Sequence, residues 1–258
     1  MQVESPLSQQ AYEHIQAEIL SGRFAAGGRI SEKQIADELG ISRTPVGEAI
    51  RSLAIEGWVE QRARQGTVVR EFTRHDIIEL FELRESLETF AVGKAATLIT
   101  NETLDQLDRY SGEMRRLGDE LAASDANVLD DANLKRFLAA DMAFHLLIVR
   151  SAGNQRILDL TKRTRTISRL FGLRRPRHSE SVVQSAYEFH RRIVEALREG
   201  DDSEARRMMA MHIQASRRET VEQLDQQQAM LLPNAPIADD LPPDLIEELE
   251  RIERGSKN

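Results

Sequence analysis

The chain has 258 residues, of which 40% are hydrophobic and 30% charged, and its formal net charge is −8. It contains no cysteine, so disulfides and thiolate zinc sites are excluded and any metal site must use His, Asp and Glu. The N-terminus lacks a basic start followed by an apolar core, and the longest apolar stretches are too short to span a bilayer. We therefore expect a cytoplasmic protein with no membrane partner.

The acidic net charge argues mildly against a protein that coats DNA, but charge is unevenly distributed along the chain. Residues 1–74 hold nine Lys and Arg against ten Asp and Glu, whereas residues 41–74 hold six Arg against four Glu. The overall balance therefore leaves room for one small DNA-binding surface and does not decide the question.

The first third of the chain predicts three short helices and a hairpin. Apolar residues at helical spacing indicate helices over 12–20, 31–39 and 42–56, and the last two begin at serines suited to N-capping. Two strand candidates follow at 58–60 and 67–69. Helix, helix, short turn, helix and hairpin is the order of a winged helix-turn-helix, in which the third helix reads DNA and the loop between the strands forms the wing.

The run ISEKQIADELGISRTPVGEAIRSLAIEGWVEQRARQGTVV resembles the DNA-binding domain of the GntR family of transcription regulators, and the similarity covers residues 8–70. In this resemblance Arg43 matches the family's principal DNA-contacting Arg, and Lys33 matches a second basic contact position. The family usually has Arg after the Pro-Val pair, where this chain has Gly47, so one DNA contact is lost. We expect Arg51 to take over part of that role.

The predicted DNA-binding surface therefore combines the start of the third helix with the wing. Its members are Lys33, Ser42, Arg43, Thr44, Arg51, Arg62, Arg64, Gln65 and Gly66. Short hydroxyl donors and long cations suit contacts to phosphates and base edges, and glycine lets the backbone approach DNA closely. The alternatives are a winged helix used for protein contact and, for the two wing arginines, a solvated loop.

The rest of the chain predicts long helices with few breakers. Thr73 and Asp76 suit the cap of the first of them, near His75. Its predicted core face is Ile77, Leu80, Leu83, Leu87 and Ala91. Further helices are predicted over 101–122, 134–151, 154–171, 180–198 and 203–228, with breaks at Gly153, Gly172 and Gly200.

These elements predict a mainly α fold, a winged helix-turn-helix followed by an antiparallel helical bundle. The predicted domains are residues 1–72 for DNA binding and residues 73–228 for the effector, the metal and dimerisation. Residues 229–258 form a Pro-containing tail with a short amphipathic helix.

Histidines and one aspartate on three predicted helices suggest a metal site. Asp141 and His145 are four residues apart and share a helix face, and His190 and His212 lie in the middle of two other helices. Three neutral imidazoles and one carboxylate suit a divalent transition metal and leave coordination positions open. On these residues alone the alternative is hydrogen-bonded core histidines, which are more common.

A second resemblance favours the metal. The segments ELRESLE (82–88), DMAFHLLIVRSAGN (141–154), EFHRRIVEALREGD (188–201) and ARRMMAMHI (205–213) look like the FCD domain of the FadR subfamily. In that domain one Asp and three His coordinate a metal, whereas the fatty-acyl-responsive branch lacks them. The resemblance therefore implies the ligands Asp141, His145, His190 and His212. Zinc is the first candidate ion, and nickel and manganese are the alternatives.

Two basic features of the helical region have two interpretations each. Arg84 matches an Arg that recurs in the family's first helix, and it either binds an effector carboxylate or pairs with a neighbouring Glu. A basic run is interpreted as a solvated helix face and loop, with attraction of an anionic effector as the alternative; its members are Lys162, Arg163, Arg165, Arg169, Arg174, Arg175 and Arg177. No role is predicted for His14, His75 or His178.

The sequence thus predicts a homodimeric transcription regulator, a repressor, that binds a double-stranded DNA operator. A small organic acid bound at the metal would gate it. One alternative is a regulator whose metal is purely structural. The other is a His3Asp metalloenzyme, although no residue at a motif spacing is suited to act as base or nucleophile.

Overall fold

The computed structural model describes residues 6–174 and 178–231. The elements in chain order are α1 (Leu7–Leu20), α2 (Glu32–Leu39), α3 (Arg43–Ile55), β1 (Val59–Arg62), β2 (Gly66–Val69), α4 (Arg74–Ala95), α5 (Asn101–Ala122), α6 (Asp131–Ser151), α7 (Gln155–Arg174), α8 (Glu180–Glu199) and α9 (Asp202–Leu231). Up to Val221 the described residues form one compact unit, and from Glu222 onwards they belong to a second. None of the helices in these ranges is long and apolar enough to cross a membrane.

The first three helices and the hairpin form the predicted winged helix-turn-helix. Buried apolar side chains from α1, α2, α3 and β1 share one core, with Ile15, Ile35, Leu53 and Trp58 at most 2% exposed. Gly40 joins α2 to α3 at a φ of 65°, a left-handed conformation that glycine adopts without strain. The core and this turn together fix the direction in which α3 leaves α2.

The hairpin is antiparallel, with Val59 opposite Val69 and Arg62 opposite Gly66. The loop between the strands is therefore three residues long, shorter than the predicted loop of six, because both strands extend further than their apolar residues indicated. The backbone of Arg29 bridges to Val68 and adds a short third edge beside the wing. The wing is thus a short turn between two paired strands, and the second strand also pairs with the backbone of Arg29.

Two of the three predicted helix caps are confirmed. Ser31 accepts a hydrogen bond from Gln34 N at 3.3 Å, and Thr73 and Asp76 bond each other's backbone N–H groups reciprocally. Ser42 is the residue before α3, but its side chain makes no capping hydrogen bond among the described residues. Its exposed side chain therefore does not cap α3.

The remaining helices form the predicted bundle, in which α5 packs against α6 and α8, and α6 also packs against α4 and α7. The side chain of Asp130 accepts a hydrogen bond from Asn133 N at 2.7 Å, so α6 begins three residues before the predicted start. The break predicted at Gly172 is wrong, because α7 continues through it to Arg174. The tail helix predicted within residues 229–258 falls on residues that the structure does not describe. Of that range only 229–231 are described, and they are the last residues of α9.

The inner face of α4 differs from the predicted one. Leu83 was expected in the core but is 45% exposed, and Leu80 and Leu87 are only half-buried. The residues that face the interior are Ile77, Phe81, Arg84, Glu88 and Ala91, which also follow helical spacing. The middle of this face is therefore charged, and it lies against α6 and α7.

Candidate metal centre and nucleic-acid interface

Four side chains from three helices converge inside the helical bundle. Helix α6 supplies Asp141 and His145, α8 supplies His190, and α9 supplies His212. One ligand atom from each of the four lies within 4.8 Å of the others. The three histidines are at most 3% exposed, so the group lies inside the bundle rather than on its surface.

The Nε2 atoms of the three imidazole rings face one another. The Nε2 atom of His145 lies 3.2 Å from those of His190 and His212, and the last two are 3.1 Å apart. Asp141 Oδ1 lies 3.6 Å from the first two Nε2 atoms and 4.0 Å from the third. A carboxylate oxygen therefore completes a cluster of four potential donors to a cation.

This arrangement fits a metal ion better than it fits hydrogen bonds. In a neutral imidazole, Nε2 carries either a proton or a lone pair. Among three neighbouring Nε2 atoms at least two must therefore carry the same one, and those two cannot form a hydrogen bond with each other. A cation removes that conflict because all three atoms then offer lone pairs. Two metal–nitrogen bonds of about 2.1 Å meeting at about 90–110° would hold the nitrogens about 3.0–3.4 Å apart, which matches the observed spacing.

The protonation states also suit a cation. Burial, followed by the charge of His145, lowers the pKa of His212 to about 3, and burial lowers the pKa of His190 well below its ordinary value. Burial alone would raise the pKa of Asp141, but Arg165 and His145 outweigh it and hold the pKa well below its usual range. At neutral pH His190 and His212 are therefore uncharged and Asp141 is ionised.

Further side chains hold three of the four residues. Glu88 on α4 is fully buried, and its Oε2 lies 2.7 Å from His145 Nδ1. Arg165 on α7 donates to both oxygens of Glu88 and, through Nη1, to Asp141 Oδ2 at 2.8 Å. Phe144 stacks on the His190 ring with centroids 3.9 Å apart. Carboxylates that hold the second nitrogen of a ligating histidine are a regular feature of metal sites.

Sequence reasoning did not identify Glu88 or Arg165. Glu88 is part of the quoted segment ELRESLE but was assigned no role, and Arg165 was interpreted as part of a solvated face, which is wrong because it is 3% exposed. The two residues are 77 positions apart, so no local spacing connects them. The signal that was available is a Glu at helical spacing from Arg84 on the same face.

Arg84, the predicted effector contact, lies beside this cluster and is 5% exposed. Its Nε donates to Glu88 Oε1 at 3.1 Å, its Nη1 donates to Ser168 Oγ at 3.3 Å, and its guanidinium lies 4.7 Å from the ring centroid of Phe81. The ion pair that was the alternative interpretation is therefore present.

The other histidines lie outside the cluster. His75 is exposed and pairs with Glu79, and His14 pairs with Glu38. His178 differs, because burial lowers its pKa to about 4, its ring lies 5.2 Å from that of Phe137, and its Nδ1 has no hydrogen-bond partner among the described residues. His178 is thus a half-buried imidazole near the start of α8 that is neutral at pH 7.

The predicted DNA-contacting residues of the helix-turn-helix share one property, exposure. The exposed side chains are Lys33, Ser42, Arg43, Thr44 and Arg51. Behind them, Val46, Ile50 and Leu53 are buried in the domain core, so α3 presents one polar face outward. This is the form that a recognition helix requires, a rigid core face and a free polar face at its N-terminal end.

The two wing arginines are in different situations. Arg62 is held by Glu60 at 2.7 Å and Glu71 at 3.2 Å, so its charge is already matched by two carboxylates. Arg64 and Gln65 are exposed at the tip, where Arg64 has a φ of 66°. Gly66 has a φ of 80°. Arg64 is therefore better placed than Arg62 to contact a phosphate.

One further cation lies beside the wing and was not identified from the sequence. Arg29 is exposed, and its Nε lies 3.8 Å from the position that a Cβ on Gly66 would occupy. Its backbone bridge to Val68, formed across the fold, brings it there. Sequence spacing alone gave no reason to associate Arg29 with the wing.

Position 47 has room for a side chain. A Cβ there would meet Glu32 Oε1 at 3.7 Å and Arg51 Nη1 at 3.9 Å, both ordinary contact distances. The Arg51 guanidinium thus occupies space beside Gly47. Glu32 is a carboxylate that an arginine at this position would also meet.

Comparison with known proteins agrees with this architecture. Residues 7–69 match the family model "Bacterial regulatory proteins, gntR family", and residues 79–215 match the FCD domain. A "Probable D-xylose utilization operon transcriptional repressor" from Paenarthrobacter nicotinovorans is 32% identical over 213 residues, which cover 81% of this chain and 86% of that protein. The HTH-type transcriptional repressor RspR of Escherichia coli K12 is 26% identical, with 81% and 86% covered.

Among solved structures, E. coli McbR/YncC aligns with a TM-score of 0.69 at 18% identity and covers 85% of this chain and 99% of its own, which shows a shared fold. The families and relatives that match are regulators rather than enzymes. Together, the two family matches and the relative at 32% identity show that the chain is a DNA-binding transcriptional regulator of the gntR family that carries an FCD domain.

Proposed function

We propose that this regulator is a repressor whose affinity for its operator is set by a small organic acid, bound through a divalent metal ion in the FCD domain. The observation that carries the proposal is the convergence of three imidazole Nε2 atoms and Asp141 Oδ1 in a bundle attached to a winged helix. Asp141, His145, His190 and His212 would hold the ion. Zinc is the first candidate, and nickel and manganese are the alternatives.

The charges around the cluster support an anionic effector. Two ionised carboxylates are balanced by two guanidinium groups, and the members of this network are Glu88, Asp141, Arg84 and Arg165. A divalent ion adds two positive charges to this neutral, buried group. It would supply a Lewis-acidic centre with free positions for carboxylate oxygens, and a bound anion offsets the charge.

We further propose that Arg84 contributes to effector binding. Its support is position, because the guanidinium shares Glu88 with Arg165 and therefore lies next to the ligands. Its contacts with Glu88 and Ser168 give it a structural part as well. An Arg84→Ala variant should consequently lose both effector affinity and some stability.

The DNA side of the proposal places the recognition helix and the wing on the operator. The proposed contacts are Lys33, Ser42, Arg43, Thr44, Arg51, Arg62, Arg64, Gln65 and Gly66, with Arg62 the weakest because Glu60 and Glu71 already pair with it. We propose a homodimer, so that two recognition helices meet a palindromic operator. Repression and a cytoplasmic location are inferred from the two relatives named as transcriptional repressors.

The domain boundaries that we propose are 1–72, 73–228 and 229–258. Support for the first comes from the capping box at Thr73, which starts α4 directly after the wing domain. Dimerisation is assigned to the middle domain, and the last thirty residues are left as a separate tail.

The experiment that tests the proposal measures operator release. Operator DNA is selected from random duplexes, and its affinity for the protein is measured at fixed salt while mono-, di- and hydroxy-acids are titrated in, with zinc or with a chelator. We expect one class of acid to weaken operator binding about 5–150-fold in the zinc-loaded protein. After chelation the same acid should have no effect, while operator binding itself persists.

Two other outcomes of this experiment would each contradict a different part of the proposal. Equal release with and without zinc would make the metal purely structural, and the chelator would then only lower the melting temperature. If no acid changed operator affinity in the zinc-loaded protein, effector gating would be rejected and DNA binding would stand alone. A His75→Ala variant serves as the control, because His75 is exposed on α4 and is not one of the four cluster residues.

A further inference from the structure

We propose that Arg165 is the positioning residue of the metal site, because its single guanidinium group sets the orientation of two of the four ligands. This inference rests on the metal site proposed above and adds a residue to it. Arg165 is on α7, which supplies none of the four ligands, and its side chain is 3% exposed.

One edge of the guanidinium group fixes Asp141. Arg165 Nη1 donates to Asp141 Oδ2 at 2.8 Å, and the other oxygen, Oδ1, faces the Nε2 atoms at 3.6–4.0 Å. The carboxylate cannot rotate without losing a charge-assisted hydrogen bond. Arg165 therefore leaves one oxygen of Asp141 for a cation.

The other edge fixes His145 through Glu88. Arg165 Nε lies 3.1 Å from both oxygens of Glu88, and Nη2 lies 2.7 Å from Oε2. The same Oε2 lies 2.7 Å from His145 Nδ1, so the negative charge of the carboxylate favours the tautomer with its proton on Nδ1. In that tautomer the lone pair of the neutral ring is on Nε2, the atom that faces the cluster.

Electrostatics alone does not explain an arginine at this place. A permanent positive charge that touches a metal ligand repels the cation and by itself weakens binding. Its presence is explained by geometry, because a planar guanidinium group donates along two edges to two carboxylates at once. A lysine would carry the same charge as one compact group and could not hold both carboxylates in these orientations.

The test separates geometry from charge by comparing Arg165→Lys, which keeps the charge, with Arg165→Gln, which removes it. Zinc affinity is measured by competition with a chromophoric chelator, and folding by circular dichroism and melting temperature. We expect both variants to lose about 10–100-fold in zinc affinity. The matched controls are Arg163→Lys and Arg163→Gln, exposed and two residues away on the same helix, which should bind zinc like the unchanged protein.

Cobalt(II) supplies a readout that a merely structural role would not change. The visible absorption of the cobalt-loaded protein depends on the number and geometry of the ligands. At saturation the spectrum of Arg165→Lys should therefore differ from that of the unchanged protein, whereas the spectrum of Arg163→Lys should be the same as that of the unchanged protein. Unchanged zinc affinity in Arg165→Lys, or tighter binding in Arg165→Gln, would overturn the proposal. So would a loss of affinity with an unchanged cobalt spectrum, because Arg165 would then act only on stability.

A second variant covers the case in which both Arg165 variants fail to fold. Glu88→Gln removes the carboxylate charge that faces His145, Arg84 and Arg165 but leaves the contact between Arg165 and Asp141, so it should weaken zinc binding about tenfold. Full zinc affinity in Glu88→Gln would contradict the positioning network. If the unchanged protein bound neither zinc nor cobalt, the metal site itself would be wrong, a result distinct from failure of the Arg165 assignment.

Discussion

Three imidazoles in this protein are neutral mainly because burial disfavours their charged form. Burial is the largest influence on His178, His190 and His212, and it lowers the pKa of each below the ordinary value of 6.5, to about 4 for the first and about 3 for the last. The unfolded chain has no such restriction, so its imidazoles take up protons near pH 6.5. These side chains therefore connect the stability of the fold to pH.

The first prediction is acid sensitivity of the metal-free protein. Below about pH 6.5 the unfolded chain binds more protons than the folded chain, so the free energy of unfolding falls as pH falls. Each of the three histidines should cost about 1.4 kcal/mol per pH unit below 6.5, until its folded-state pKa is reached. Urea unfolding at pH 7.5 and 5.5, in the presence of a chelator, measures the difference.

The folding measurement has a matched control, because His75→Ala alters an exposed histidine and should leave the pH dependence unchanged. His178→Phe removes a titrating group outside the cluster and should reduce the slope by about one proton. If the metal-free protein were equally stable at both pH values, neutral buried imidazoles could not be the correct description.

The second prediction concerns metal content. His190→Ala and His212→Ala each remove one of three converging Nε2 atoms, and Asp141→Ala removes the carboxylate, so each should lower the metal bound per chain. Elemental analysis of the purified protein measures it, with His75→Ala as the control. Full stoichiometry in both histidine variants would rule out the site.

The residues of the buried His and Asp cluster could be predicted and the residues that orient them could not, for a physical reason. Asp141 and His145 are four apart on one helix, so the sequence itself places them together. Glu88 and Arg165 meet only because α4 and α7 pack side by side. In the sequence of α4, Leu83 and Leu87 predicted a core face, although burial of Arg84 and Glu88 places that face elsewhere. Apolar periodicity is least informative where a helix lines a charged site.

Helix α3 illustrates which properties of an element follow from sequence. Its core face, Val46, Ile50 and Leu53, was predictable from spacing, and it is buried as expected. The environment of the outward face was not, because Glu32 and Arg51 flank Gly47 only after α2 and α3 have packed. That environment decides how a substitution at position 47 behaves.

The third prediction concerns the recognition helix. Arg43→Ala should weaken operator binding by about 1–3 kcal/mol. Gly47→Arg should strengthen binding and steepen its dependence on salt by roughly one unit in log–log slope, because it adds one phosphate contact. Gel shifts at several salt concentrations measure both effects. Arg109→Ala on α5, outside the winged helix, is the control for lost charge.

The neighbouring Glu32 qualifies the gain at position 47. A Cβ there lies 3.7 Å from Glu32 Oε1, so an arginine could pair with this carboxylate instead of with DNA. The double variant Gly47→Arg with Glu32→Gln should then show the full increase in slope. An unchanged slope in both variants would mean that position 47 does not face DNA.

Helix α7 connects the two functional regions. It carries Arg165, which contacts Asp141 and Glu88, and it also packs against α1 of the winged helix. Two residues further on, Ile167 Cδ1 lies 3.7 Å from the position that a Cβ on Gly57 would occupy, directly after α3. One helix thus contacts both the buried His and Asp cluster and the winged-helix domain, and neither contact could be derived from sequence spacing.

The last prediction is that Ile167→Ala weakens the coupling between effector and operator without abolishing either binding event. The substitution shortens the side chain that approaches Gly57 of the winged helix but leaves the proposed metal ligands and the recognition helix unchanged. Zinc content and operator affinity without effector should therefore stay close to those of the unchanged protein. The factor by which the acid weakens operator binding should fall by about 2–30-fold, the equivalent of about 0.5–2 kcal/mol.

Linkage makes this prediction testable from two directions. The acid must change operator affinity by the same factor as the operator changes acid affinity, so anisotropy titrations of DNA and calorimetric titrations of the acid should give one value for each variant. Leu160→Ala is the control, because Leu160 is on α7 and 46% exposed. If Ile167→Ala kept the full coupling factor in both titrations, the contact between α7 and the winged helix would carry no signal, and the route from metal to DNA would have to run through the dimer instead.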